Sequence, residues 1–173
     1  MRRWRNTDIV PFADLNANQL VMEFFVDTLS TEQTITMVQK IEEEFENKSF
    51  GLWAAELKST GKFIGFVGLH EPKFEAHFMP CVEIGWRLAR EYWGKGLALE
   101  AAKEVIKDGF ARLDLAEIVS FTASINTRSI RVMERLGMKK NPQDDFLHPS
   151  ITDGHILSPH VLYRLSKGDL HSI

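Results

Sequence analysis

A short glycine-containing segment stands where a predicted strand gives way to a predicted helix, and its residue types suit phosphate binding. It consists of Trp93, Gly94, Lys95, Gly96, Leu97 and Ala98. Glycine lets backbone N–H groups approach a phosphate closely, and the N-terminus of a helix adds a partial positive charge. The segment therefore predicts a pyrophosphate-binding turn, although a glycine turn that only enters a helix has the same pattern.

Two common nucleotide-binding motifs do not fit this segment. A dinucleotide fingerprint needs a third glycine, and Ala98 or Leu99 stands in its place. The strand that follows ends in Thr122–Ser124, without the acidic residue that this fingerprint also needs. A P-loop needs Ser or Thr after Gly-Lys, and here Gly96 follows. The sequence excludes both motifs.

Acidic residues and histidines gather in a late polar segment, 141–158, which we predict to be a long loop. Asp144, Asp145, His148 and His155 lie in it, and His160 follows. Their spacing lacks the tight His/Cys pairing of a metal site, so we predict no metal. Cys81 is the only cysteine, and we expect it to be a small buried apolar residue rather than a nucleophile.

Hydrophobic periodicity predicts the elements that position these residues. Helices are expected from about Thr7, after Ser30, over 95–113 and over 127–136, and strands over 50–57, 63–69, 81–88, 118–123 and 160–165. Ile9, Phe12, Ala13 and Leu15 form the apolar face of the first helix, and Ile35, Val38, Ile41 and Phe45 that of the second. The order of elements predicts an α/β fold with a mixed sheet.

Length and composition limit the class of protein. The 173 residues fit a single domain, 1–173, and the formal net charge of −3 argues against a general nucleic-acid binder. A lone cysteine suits a reducing compartment, and we see neither a signal peptide nor an apolar run long enough for a bilayer. We therefore expect a cytoplasmic protein without membrane or nucleic-acid partners, as a monomer or homodimer.

The segment Tyr92–Ala101 resembles the coenzyme A loop of GNAT-superfamily N-acetyltransferases, and is most similar to the RimJ/RimL-like branch, which includes ribosomal-protein N-terminal acetyltransferases. Ser124–Met138 resembles the family pattern N-x-x-S-x-x-V-x-E-x-L-G-F/M, and Arg3–Asp8 with Leu15–Ala17 also match. The resemblance covers nearly the whole chain in the right order. It implies the GNAT acyl-CoA N-acyltransferase fold: an antiparallel meander, helices on both faces, and a parallel strand pair that splays to hold coenzyme A.

The resemblance also implies how acetyl-CoA, the expected co-substrate, would be held. Backbone N–H groups near Leu88 would bind the pantetheine amides and polarise the thioester, and Trp93–Ala98 would hold the pyrophosphate. Asn126 would bond the pantetheine, and Ser129 would protonate or stabilise the departing sulfur. For Asn126 and Ser129 the alternative is helix capping, since both residue types favour a helix start.

Glu83 is the first candidate for the general base, because some family members place a catalytic glutamate at this position. It would act directly or through water. The alternative is a solvent-facing strand residue. Other candidates for the base are His70 and the late group of Asp145, His148, His155 and His160.

The family's usual tyrosine acid is missing, since Met133 stands at its place. The leading interpretation is acetyl transfer to a primary amine, by direct attack in a ternary complex. The acceptor would be a protein N-terminus or a small-molecule amine. The missing tyrosine keeps open an alternative, a domain that binds or senses coenzyme A without turnover.

The late segment is the predicted acceptor pocket. Its acidic and aromatic side chains suit a cationic or amine-bearing ligand. We expect Phe146, His148 and His155, with Tyr163 on the final strand, to border this pocket. The alternative is a solvent loop without a role.

Overall fold

Four helices and seven strands are present in the computed structural model, which describes the backbone of residues 1–172 and the side chains of residues 1–169. The helices are α1 (Ile9–Ala17), α2 (Thr31–Lys48), α3 (Leu97–Arg112) and α4 (Thr127–Arg135). The strands are β1 (Leu52–Leu57), β2 (Lys62–His70), β3 (Glu83–Leu88), β4 (Glu117–Ala123), β5 (Lys139–Lys140), β6 (Phe146–Leu147) and β7 (Pro159–Ser166). Every helix and strand predicted from periodicity is present, with ends shifted by a few residues.

Hydrogen-bonded neighbours give the strand order β1-β2-β3-β4-β7-β5, and β6 also pairs with β7. β1 and β2 are antiparallel, β4 and β7 are antiparallel, and β3 and β4 are parallel, with Glu83 opposite Val119. The sheet is therefore mixed, which confirms the predicted α/β fold class. No helix among residues 1–172 combines the length and apolar character that a membrane crossing requires.

The described chain forms two compact units, and the first contains Met1–His70 and Gly85–Ala101. Its core joins α1, α2, β1 and β2. Phe12 is fully buried, with its ring centroid 4.8 Å from that of Trp4 and 5.9 Å from that of Phe66. The predicted apolar face of α1 is confirmed, because Phe12, Ala13 and Leu15 are buried and Ile9 packs against the core.

Helix α2 begins with a capping box. The Gln33 N–H donates to Ser30 Oγ at 3.2 Å, and the Ser30 N–H donates to Gln33 Oε1 at 2.7 Å. The inclusion of Ile35 in the apolar face of this helix was wrong, since Ile35 is 37% exposed. Thr34 is buried in its place and accepts a hydrogen bond from Asn16 Nδ2 at 3.1 Å. A polar pair thus fills a position that apolar periodicity assigns to isoleucine.

The second unit contains Glu71–Ile84 and the chain from Ala102 onward. β7 is its central strand, because β4, β5 and β6 all pair with it in antiparallel register. The long loop predicted over 141–158 is interrupted by two short elements. Pro142–Asp144 forms a 3-10 turn, and β6 places Phe146 opposite His160. The segment is tied to the sheet near the aromatic residues that it carries.

Candidate active site

The glycine-containing turn of the first unit is fastened to the end of β3 by one side chain. Trp93 Nε1 donates to the carbonyl oxygen of Leu88 at 2.7 Å, which folds the turn back on the strand. Gly94 and Gly96 have φ of 71° and 78°, in the left-handed region where glycine is favoured. The Glu100 N–H donates to the Gly96 carbonyl at 2.9 Å and closes the first turn of α3. The predicted order of strand, glycine turn and helix is confirmed.

This turn is open on the side of its glycines. A Cβ built on Gly94 or Gly96 would meet no heavy atom within 4 Å, so the backbone conformation, not a lack of space, favours glycine there. The first N–H groups of a helix have no acceptor within the helix, and those of Leu97 and Ala98 belong to this class. An open glycine turn at the start of a 16-residue helix suits a pyrophosphate.

Glu83 is the first residue of β3 and is only 7% exposed. The alternative of a solvent-facing strand residue was therefore wrong. In the second unit, β3 is tied to β4 at this end: the Val119 N–H donates to the Val82 carbonyl at 3.0 Å, and Ser120 Oγ donates to the Ile84 carbonyl at 3.0 Å. A buried carboxylate held by a sheet has the fixed position that a general base needs.

Cys81 lies two positions before Glu83 in the sequence, and the charge of Glu83 acts on its thiol. Burial, with a smaller contribution from the negative charge of Glu83, raises the pKa of the Cys81 thiol to about 12. The thiol is therefore protonated at neutral pH and is a poor nucleophile. The expectation that Cys81 is not a nucleophile agrees with this pKa, but Cys81 is only half-buried, packed against the core of the second unit.

Asn126 and Ser129 are held together at the start of α4. Asn126 Oδ1 accepts from the Ser129 N–H at 3.2 Å, and Asn126 Nδ2 donates to Ser129 Oγ at 3.1 Å and to Thr122 Oγ1 at 2.9 Å. Helix capping, the alternative role, is thus present. It leaves the hydroxyl hydrogen of Ser129 to donate elsewhere, so the role toward coenzyme A stays a prediction.

Four phenylalanines and two histidines of the second unit form what we call the aromatic cluster. Its members are Phe74, Phe78, Phe121, Phe146, His148 and His160. The centroid of His148 lies 4.7 Å from that of Phe74 and 6.2 Å from that of Phe146. Burial lowers the pKa of both His148 and His160, which favours neutral imidazoles. The cluster is a set of neutral rings that can pack against an apolar or cationic group.

Of the predicted acceptor residues, the structure brings Phe146 and His148 together, and within the described residues no ring contact joins His155 or Tyr163 to them. His155 is exposed, and its Nδ1 accepts from the Leu157 N–H at 3.1 Å. Tyr163 is buried, and its hydroxyl donates to Glu134 Oε1 at 3.4 Å. Burial, together with the charge of Glu134, raises the pKa of Tyr163.

Sequence reasoning missed four residues with a place in these sites. Phe74, Phe78 and Phe121 belong to the aromatic cluster. The signal available was two aromatic residues in the segment between β2 and β3 and another on β4. Arg87, on β3, was not among the predicted site residues. Burial lowers its pKa to about 10, which leaves the guanidinium charged at neutral pH.

Within the part of the chain that the structure describes, no group of three or more His, Cys, Asp or Glu side chains is arranged to hold a metal ion. The late histidines instead contact rings or backbone: Nδ1 of His148 accepts from the Ser150 N–H, and Nδ1 of His160 donates to the Ser158 carbonyl.

A family model described as "Acetyltransferase (GNAT) domain" matches residues 1–139 of this chain. Among curated proteins, the chain is similar to the "Uncharacterized N-acetyltransferase YoaA" of Bacillus subtilis (strain 168), with 31% identity over 111 residues. That match covers 64% of this chain and 61% of the relative, so the chain spans less than two thirds of the relative's length.

Solved structures share the fold over almost the whole chain. An acetyltransferase of the GNAT family from Bacillus anthracis is 26% identical, with a TM-score of 0.77 over 96% of this chain and 93% of that one. A spermidine N-acetyltransferase from Vibrio cholerae, solved in complex with CoA and spermine, has a TM-score of 0.75 at 17% identity, over 98% of this chain and 96% of that one. The match at family level confirms the resemblance, whereas the RimJ/RimL-like branch stays a prediction. The chain therefore belongs to the GNAT family of acetyltransferases, which take their acetyl group from acetyl-CoA.

Proposed function

We propose that this protein transfers the acetyl group of acetyl-CoA to a primary amine by direct attack in a ternary complex, as a member of the RimJ/RimL-like branch. The observation that carries the proposal is the turn after β3. The Trp93 indole fastens it to Leu88, and Gly94 and Gly96 open it toward the first N–H groups of α3.

Acetyl-CoA supplies an activated acetyl thioester, and the protein's part is to hold and polarise it. We assign the pyrophosphate to the backbone of Trp93–Ala98, where N–H groups at a helix start favour an anion. Backbone N–H groups near Leu88 would bond the pantetheine amides and the thioester carbonyl. A hydrogen bond to that oxygen stabilises the negative charge that develops on it during attack.

Glu83 is the proposed base. The attacking amine must lose a proton as its nitrogen forms a bond to the acetyl carbon, and a carboxylate or a water bound to it can accept that proton. Burial at 7% exposure keeps the Glu83 carboxylate in one position on β3. The carbon–sulfur bond then breaks and the electron pair leaves with sulfur.

Ser129 is the proposed partner of the departing sulfur. Its Oγ accepts a hydrogen bond from Asn126 Nδ2, so its own O–H is available to donate to a thiolate. Asn126 would position this hydroxyl and bond the pantetheine. Met133 is fully buried and has no acidic hydrogen, so Ser129 takes the place of the tyrosine found in many family members.

We assign the acceptor to the region of Phe146, His148, His155 and Tyr163. Support comes from the aromatic cluster, whose neutral rings present electron-rich faces to an ammonium group. Asp144 and Asp145 add negative charge nearby in the chain, although Asp144 pairs with Arg164 and Asp145 with Lys140. A polyamine or a protein N-terminus has the matching positive charge.

The test is an acceptor panel in which release of the coenzyme A thiol is measured, with polyamines, amino acids and N-terminal peptides as acceptors. Acetylation of any primary amine above the rate without acceptor supports the proposal. Calorimetric binding of acetyl-CoA with no turnover of any member would instead favour the alternative, a domain that binds or senses coenzyme A. A cytoplasmic, single-domain protein that is monomeric or homodimeric stays a prediction.

A further inference from the structure

The guanidinium of Arg87, in the first unit, carries a buried charge with an incomplete set of partners. Nη1 donates to Asn16 Oδ1 at 2.6 Å. Nε is buried and has no hydrogen-bond partner. Among the described residues no carboxylate forms an ion pair with Arg87, whereas other arginines of this unit, such as Arg2 and Arg3, each pair with two carboxylates.

The partners that Arg87 does have are neutral. Asn16 and Thr34 are fully buried, Asn16 Nδ2 donates to Thr34 Oγ1 at 3.1 Å, and the Asn16 carbonyl accepts from the Leu29 N–H at 3.0 Å. These bonds tie α1 to the start of α2. A neutral donor at position 87 would complete the same network, and a buried charge without a counter-charge lowers the stability of the folded state. The network alone therefore does not account for the charge.

The side edge of the Arg87 guanidinium has a geometry that suits one kind of ligand. Nη1 donates to Asn16, Nε has no partner, and Nε with Nη2 forms the side edge of the guanidinium fork. That edge matches the two oxygens of a carboxylate in a bidentate pair. An ammonium group would be repelled there.

A partly exposed ring stacks on the guanidinium. Cζ of Arg87 lies 4.3 Å from the ring centroid of Phe25 and 5.4 Å from that of Phe66. Phe66 is buried on β2, but Phe25 is 45% exposed and lies in a segment of turns between α1 and α2. Arg87 also directly precedes Leu88, whose carbonyl anchors the proposed coenzyme turn through Trp93. The ring of Phe25 is thus the solvent-exposed one of the two rings stacked on the guanidinium.

We propose that Arg87 binds a carboxylate of the acceptor, so that the substrate is an amine that also carries a carboxylate, of the amino-acid class. This inference rests on the proposed acetyl transfer. Arg87 selects the acceptor through a bidentate ion pair, and Asn16 positions the guanidinium.

The experiment compares matched amines that differ only in the carboxylate: each protein amino acid and its carboxamide, assayed for thiol release with wild type, Arg87→Met and Arg87→Lys. A second pair, O-phosphoethanolamine and ethanolamine, detects a preference for phosphate instead. Arg112→Met is the control, because Arg112 is an exposed arginine that pairs with Asp108 on α3.

For at least one amino acid we expect wild type to favour the carboxylate over the carboxamide by about 100-fold in kcat/KM, the order of a charged hydrogen-bonded pair. Arg87→Met should abolish that preference with an unchanged KM for acetyl-CoA, Arg87→Lys should keep part of it, and Arg112→Met should keep all of it. Arg87→Met should fold with an unfolding temperature no lower than that of wild type, since a buried unpaired charge is removed.

The proposal would be overturned if Arg87→Met lowered kcat/KM equally for the carboxylate and the carboxamide of every pair. It would also be overturned if wild type turned over these amines without any preference for the carboxylate. A preference confined to the phosphate pair would also overturn it and assign Arg87 to phosphate. Binding of the same pairs of amines is also measured without turnover. The measurement is the rise in the protein's unfolding temperature that each amine causes in the presence of coenzyme A. If no amine is acetylated but a carboxylate-dependent rise is lost in Arg87→Met, acetyl transfer fails while the anion site stands. If no amine is acetylated and no carboxylate-dependent rise in unfolding temperature is seen with wild type, both the proposed acetyl transfer and the proposed anion site at Arg87 fail.

Discussion

The ring centroids of His148 and His160 lie 4.9 Å apart, and the two imidazoles are held in complementary states. Nδ1 of His160 donates to the Ser158 carbonyl, so a neutral His160 has its lone pair on Nε2. Nδ1 of His148 accepts from the Ser150 N–H, so a neutral His148 carries its proton on Nε2. The same Ser158 carbonyl accepts the His148 N–H at 2.9 Å, so one backbone oxygen fixes both residues.

This pair predicts a loss of stability in mild acid. Burial lowers the pKa of both histidines in the folded protein, so the unfolded chain binds protons first as pH falls through the ordinary histidine value of about 6.5. The free energy of unfolding should therefore have its highest value above about pH 7 and should decrease as the pH falls toward about 5. Denaturant titrations at several pH values measure this slope.

The double variant His148→Phe/His160→Phe should flatten that slope, because the rings stay aromatic but no longer titrate. The Ser158 carbonyl keeps its bond from the backbone N–H of residue 148. The control His155→Phe removes an exposed imidazole of the same segment and should leave the slope in place. An unchanged slope in the double variant would show that other groups cause the acid sensitivity.

Gly96→Asp should weaken coenzyme A binding by about tenfold or more, because it puts a negative charge where a helix start and open N–H groups favour the pyrophosphate. The matched control is Gly61→Asp, since Gly61 has a similar φ of 67° and is equally open but lies in the β1–β2 turn. Both variants carry similar backbone strain. Calorimetry that finds equal affinity in a folded Gly96→Asp protein would mean that the pyrophosphate binds elsewhere.

Glu83→Gln should lower kcat by about 100-fold or more at neutral pH and leave coenzyme A affinity nearly intact, because it removes the proton acceptor but keeps the shape. Part of the loss should return at higher pH, where more of the free amine is already neutral. Glu104→Gln, on the exposed face of α3, is the control. Rates measured across the pH range decide the matter, and a wild-type profile would exclude Glu83 as the base.

Replacement of Asp145 and His148 by alanine should raise the KM for the acceptor about tenfold and leave that for acetyl-CoA alone. His148 lies in the aromatic cluster, and Asp145 forms an ion pair with Lys140 at 3.0 Å. Asp153→Ala tests another exposed acid of the segment. If steady-state kinetics show both constants at wild-type values, the acceptor pocket lies elsewhere, with the region between α1 and α2 as the next candidate.

Local sequence signals predicted the elements well, because their causes are local. The Ser30–Gln33 capping box and the glycines before α3 act within a few residues of where they occur. The error at Ile35 arose because Thr34 is buried by a hydrogen bond to Asn16, a partner on another helix that apolar periodicity does not detect.

The parts of the site that escaped prediction depend on partners far away in the chain. β6 is two residues long and is defined by its pairing with β7, not by any alternation of its own. Arg87 meets Asn16 across 71 positions, and Phe74 meets Phe146 from the segment before β3. A strand arginine or an isolated phenylalanine gives the same local signal whether it faces solvent or a site.

The position of β7 at the centre of three strand pairings has a consequence for how the protein is made. β4 is synthesised long before its partner, since Glu117 pairs with Ser166 and Ala123 with His160. Until β7 leaves the ribosome, the backbone N–H and C=O groups along that side of β4 lack their native partner. Such non-local pairing slows folding, and an uncovered strand edge invites association with other chains. The nascent chain is therefore most vulnerable to aggregation in the interval after β4 has emerged and before β7 has emerged.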